Sequence, residues 1–136
     1  GTGVPRSDID LDGSTRFKTY HESVGVVTSA SNVVTLDLSS AQTFTLTVDE
    51  EILSFKLTNP PSGSTAFTVK ILQDSTGYSV GIDTFNDNGG SAIPVYWPAA
   101  VTPDVTTTAS KTDIYSFMTF DSGSSLYGVV GGQNFA

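Results

Sequence analysis

Gln42-Thr43-Phe44-Thr45-Leu46-Thr47-Val48 changes character at every residue. Phe44, Leu46 and Val48 fall on one side of an extended chain, and Thr43, Thr45 and Thr47 on the other. A period of two marks a half-buried β-strand. The same pattern runs outward in both directions. Residues 32–38 put Val34, Leu36 and Leu38 on one face with Thr35 and Asp37 opposite; residues 51–58 offer Leu53, Phe55 and Leu57 with Lys56 turned to water. Residues 65–72 offer Phe67, Val69 and Ile71 with Lys70 outside. Asn59-Pro60-Pro61-Ser62-Gly63 and Gln73-Asp74-Ser75-Thr76-Gly77 read as turns, because Pro fixes φ and Gly supplies positive φ.

The second half is less regular. Residues 77–84 form a weaker strand with Val80 and Ile82 inward, and 83–90 a loop. Residues 92–97 carry Pro94, which suggests an edge or a bend. An irregular crossing follows over 98–110, and then residues 112–120 and 124–130 close as a hairpin around Asp121-Ser122-Gly123. About eight short strands at this spacing predict an all-β fold, an antiparallel β-sandwich of jelly-roll type. Composition agrees. Nineteen Thr and 14 Val outnumber 8 Leu, 8 Ala and 3 Glu, so residues that suit a pleated surface dominate and the best helix formers are scarce.

A chain of 136 residues makes one domain. Residues 1–24 read as an arm or linker that ends in a first short strand, and residues 25–136 as the sandwich. Fourteen acidic against six basic residues give a net charge of −8, which repels phosphate backbones and argues against nucleic acid as a partner. With no Cys and a single His, thiol catalysis, disulfides and multi-imidazole zinc sites are excluded. No run approaches the roughly 20 apolar residues of a membrane-spanning helix, so membrane insertion is not expected, and no stretch reads as a secretory leader.

The candidate chemistry is thin. Asp8-Ile9-Asp10-Leu11-Asp12-Gly13-Ser14 matches the opening of a calcium loop, with Asp8, Asp10 and Asp12 as the metal ligands. The twelfth position, where a bidentate Glu belongs, is Thr19, and Glu22 comes three residues late; a solvated acidic linker accounts for the same residues. The loop Asp83-Thr84-Phe85-Asn86-Asp87-Asn88-Gly89-Gly90 has turn composition. His21 has no Gly-x-Ser-x-Gly elbow to serve and reads as a packed or interface histidine. Glu50 and Glu51 are adjacent and point to opposite faces of a strand. Asp113, ahead of an apolar run, reads as a hydrogen-bonded tie for the preceding loop. No residue set nominates an enzyme, and no cofactor is expected. The aromatics say more. Trp97, Tyr96 and Phe85 are the candidate ligand-stacking residues, in the manner of sugar-binding modules. A sole Trp in a small β-domain also serves as a core cap.

The order of several segments carries a resemblance. They are Val33-Val34-Thr35-Leu36-Asp37-Leu38-Ser39-Ser40-Ala41, Thr58-Asn59-Pro60-Pro61-Ser62-Gly63-Ser64, Phe67-Thr68-Val69-Lys70-Ile71-Leu72-Gln73-Asp74-Ser75-Thr76-Gly77, Val95-Tyr96-Trp97-Pro98, Lys111-Thr112-Asp113-Ile114-Tyr115-Ser116-Phe117, and Tyr127-Gly128-Val129-Val130-Gly131-Gly132-Gln133-Asn134-Phe135. Residues 33–136 resemble a small β-sandwich module of tailed-bacteriophage virion proteins, of the tail fibre, tail and capsid-decorating kind. The loop 83–90 and Ala99-Ala100, where the module is Gly-rich after Trp-Pro, depart from it. The resemblance implies a virion location and a structural role in host-surface attachment or particle stabilisation. It also implies a homo-oligomer, often a trimer, among other virion proteins, with a host-surface glycan as a further partner and no catalytic residues. A freestanding carbohydrate-binding module is the alternative.

Overall fold

The computed structural model describes residues 12–136. Asp8 and Asp10 lie outside the described residues. Asp12 is exposed, and among the described residues no three His, Cys, Asp or Glu side chains gather to hold a metal ion.

Among the described residues eleven strands form two packed sheets. They are β1 (Val24–Val27), β2 (Ser29–Ala30), β3 (Val33–Asp37), β4 (Thr43–Val48), β5 (Ser54–Thr58), β6 (Thr65–Gln73), β7 (Phe85–Asn86), β8 (Ala92–Ile93), β9 (Val95–Tyr96), β10 (Thr112–Thr119) and β11 (Leu126–Phe135). One sheet has the order β1-β4-β6-β10-β11-β9, the other β2-β3-β5-β7-β8. The fold is the expected β-sandwich. Its sheets are mixed instead of purely antiparallel: β4 runs parallel to β1 and β6, β3 parallel to β5, and β5 parallel to β7. The cause is the connections. From β3 to β7 the chain changes sheet at every turn, so strands two apart in sequence become neighbours with the same direction.

The Asp37 carboxylate ties two of these crossings together. Its Oδ1 accepts from the Ser39 N–H (2.9 Å), the Ser39 hydroxyl (2.7 Å) and the Asn59 amide (2.9 Å), so the turn after β3 is held against the turn after β5. The Ser39 hydroxyl, then Asn59 and the Ser39 N–H, hold this carboxyl below the usual range.

The inward sets meet as one core. Phe55 stacks on Phe85 and Phe67 on Phe117, both pairs with ring centroids 5.1 Å apart. Such pairs add about 0.5–1.5 kcal/mol each beyond area burial. Four expectations change here. Residues 77–84 form no strand, only an isolated bridge from Val80 to Ile52, because the segment turns at Ile82 and Asp83. Residues 51–58 do not run as one alternating strand: Ile52 is buried, Leu53 is exposed, and the regular strand starts at Ser54. The loop 83–90 contains β7, whose Phe85 is core. Residues 12–23 form no strand, so the short strand expected at the end of the arm begins only at Val24, and His21 is exposed, which removes the packed reading and leaves the interface one.

Candidate functional site: an exposed aromatic corner

Register on the six-stranded sheet decides which side chains meet outside the sandwich. Tyr96 on β9 lies beside Tyr127 on β11, Tyr127 beside Met118 on β10, and Met118 beside Ala66 on β6. All four are exposed. The adjacent row runs Val129, Ser116, Thr68, Thr43, Val24, and its middle is polar, with the Thr68 and Ser116 hydroxyls 2.9 Å apart. The outer face is therefore apolar at its β9–β11–β10 corner and hydroxyl-rich across its centre.

Three aromatic rings stand at that corner. Tyr96 and Tyr127 have centroids 5.4 Å apart with planes at 34°. Phe120 meets Tyr127 edge-on at 5.9 Å. Their exposures are 51%, 46% and 63%, well above those of core aromatics. Beside them Tyr96, Trp97, Pro98, Met118, Tyr127 and Val129 line a groove of about 330 Å³, almost wholly apolar.

Of the three residues nominated from sequence, one belongs to this surface. Tyr96 is there. Trp97 lies beneath it at 7% exposure, edge-on to Tyr115 and Phe117, so it is a core cap and not a stacking platform. Its indole N–H is buried without a hydrogen-bond acceptor. Phe85, at 1% exposure, is closed to any ligand. Tyr127, Phe120 and Met118 went unnominated. Their signal was the apolar set Met118, Phe120 and Tyr127 at outward positions on either side of the hairpin turn, where a solvated face carries polar residues.

The turn after Trp97 is strained. Ala99 and Ala100 both hold left-handed angles, φ 55° and 58°. Each such alanine costs about 1–2 kcal/mol relative to the right-handed region.

Asp113 sits at the other end of β10 and ties the loop, as expected. One carboxylate oxygen accepts from the Thr106 N–H (2.8 Å) and the Tyr115 hydroxyl (2.7 Å), the other from the Asn134 N–H (2.8 Å). Gln133 bridges the Tyr115 oxygen (2.8 Å) and the Asp104 carbonyl (2.7 Å). Burial pushes this carboxyl up, but the Thr106, Asn134 and Tyr115 donors together hold it below the usual carboxylate value. Burial, with the Asp113 acceptor next, pushes the Tyr115 phenol far above its ordinary value. Every oxygen here is occupied by fixed donors, so the cluster is built to hold a loop.

No family model, no curated protein and no solved structure matches the chain. Among the described residues no helix is long and apolar enough to cross a membrane.

Proposed function

We propose that the chain is a structural module of a phage particle, of the fibre, tail or capsid-decorating kind, that self-associates and serves host attachment or particle stabilisation. One observation carries the reading. A cysteine-free sandwich with its polar groups spent on tying loops leaves a contiguous apolar corner on one sheet, centred on Tyr96, Tyr127, Phe120 and Met118. Exposed apolar patches of this sort mark contact surfaces. Among the described residues β1 is an edge of the mixed sheet, and assembly is one way to cover an edge. Light scattering on the size-fractionated chain tests the reading: a homo-oligomer, a trimer first of all, is expected, and a monomer at all concentrations overturns it.

The same rings favour a second reading, a carbohydrate-binding module. Tyr96 and Tyr127 are the exposed Tyr pair such a module uses, although their 34° tilt departs from a flat two-ring platform. A monomer that binds an oligosaccharide, and loses it in Tyr127→Ala, would select this reading over the first.

A further inference from the structure

Residues 16–21, Arg16-Phe17-Lys18-Thr19-Tyr20-His21, carry two fixed positive charges and no acid. The rest of the molecule has the opposite balance: residues 24–136 hold three lysines against ten carboxylates. Phe17 and Tyr20 are 71% and 78% exposed, so this arm buries neither ring on its own domain. Among the described residues its hydrogen bond to the domain lies where it joins the sheet, the Thr43 hydroxyl donating to the Glu22 carboxylate at 2.9 Å. Two apolar surfaces thus lie open in one chain: a basic aromatic arm entering at β1, and the aromatic groove at β9, β11 and β10, the far side of the same sheet.

We propose that the Arg16–His21 arm of one copy of this chain docks in the aromatic groove of a second copy. Phe17 and Tyr20 cover Tyr96, Tyr127 and Met118, and Arg16 and Lys18 lie against the acidic domain. Asp121 directly follows Phe120 on the hairpin and is exposed, which places a negative charge at the rim of the patch. Five residues from Glu22 to Phe17 reach about 17 Å, enough to cross from one sheet onto a neighbour. The two surfaces differ and sit on opposite edges, so the contact is head-to-tail, and a head-to-tail contact that closes makes a ring. This inference rests on the self-associating reading above and names the surfaces that reading leaves open.

The test uses the full chain. Light scattering across a dilution series compares wild type with Phe17→Ser/Tyr20→Ser, which alters only the exposed arm, and with Met118→Lys, which puts a like charge into the groove. Each variant is expected to weaken association at least about tenfold, the scale of losing buried aromatic anchors, and added salt is expected to weaken the wild type. The chain lacks cysteine, so Tyr20→Cys and Met118→Cys can be made singly, mixed and oxidised; a disulfide between the two chains is expected. An oligomer unaffected by the arm and groove variants overturns the inference and leaves the virion reading standing. A disulfide that forms in the double-cysteine chain but not in the mixture shows the arm covering its own groove, and overturns it also. A wild type that is monomeric throughout overturns both.

Discussion

Gly77 and Gly63 hold nearly the same backbone angle, φ +86° and +85°, and only one of them is crowded. A Cβ on Gly63 would meet nothing within 4 Å, whereas one on Gly77 would overlap the Thr107 carbonyl oxygen. Gly63→Ala is therefore expected to cost only the left-handed backbone term, about 1 kcal/mol. Gly77→Ala adds a backbone clash and is expected to cost at least about 3 kcal/mol. Urea melts of the two variants check the difference, and equal losses would mean that the Thr107 segment moves freely. Asp113 gives the second prediction at this scale. Asparagine keeps the shape but turns an amide toward donors that need acceptors, so Asp113→Asn is expected to lose about 2–3 kcal/mol at neutral pH, read by the same melts. Its role as a loop tie was legible from a carboxylate standing before an apolar run. Its partners Gln133 and Asn134, some 20 residues on, were not. Which donors reach a buried carboxylate depends on the register of β10 with β11, and that register carries two irregularities near Ile114.

For β3, β4 and β6, alternation named the buried side chains correctly, because a period of two says which face is apolar. It does not say which strand lies alongside. Asn59-Pro60-Pro61-Ser62-Gly63 bends the chain in either case, and nothing in its composition separates a hairpin within one sheet from a crossing between two; the parallel pairs followed from the crossing. Phe85 was hidden for a different reason. Its strand is two residues long, set among Asn, Asp and Gly, so turn chemistry outweighed one aromatic. The pairing of β9 with β11 yields a prediction. A Cβ on Gly128 would lie 2.5 Å from the Trp97 ring, so β11 approaches the indole closely only because residue 128 is Gly. Gly128→Ala is expected to push Trp97 outward and cost about 1–3 kcal/mol. Trp97 is the only tryptophan, so intrinsic fluorescence reports the movement directly as a red shift and greater quenching by iodide or acrylamide. An unchanged spectrum would show that the strand shifts instead of the ring.

At the scale of the whole molecule, the site was half legible. Tyr96 could be nominated because it adjoins Trp97, but Phe120 and Tyr127 reach it only through strand pairing, and a sequence pattern holds no long-range register. The charge distribution, by contrast, is open to direct reading, and it sets the last prediction. Asp37, Asp113 and Asp121 all have carboxyls held below their ordinary value of 3.8. The causes are hydrogen bonds from Ser39 and Asn59 for Asp37, and from Ser125 for Asp121; at Asp113 burial opposes the shift and the surrounding donors outweigh it. Unfolding returns each group to its ordinary value, so below about pH 4 the unfolded chain binds more protons than the folded one. The stability these groups contribute is present above that value and is lost as pH falls through the lower, folded one. The urea midpoint is expected to stay level from about pH 8 down to about pH 5 as far as these groups decide it, and to drop below about pH 4. In Asp113→Asn the midpoint starts lower and falls less steeply, since one of the three groups no longer titrates. A variant whose acid limb runs parallel to that of the wild type would mean that Asp113 is no more strongly held in the folded chain than in the unfolded one. The sequence pI of 4.2 lies at the top of the same window. Loss of stability and loss of the net negative charge that keeps copies apart therefore coincide, and acid is expected to produce aggregation, seen as turbidity, instead of a soluble unfolded chain.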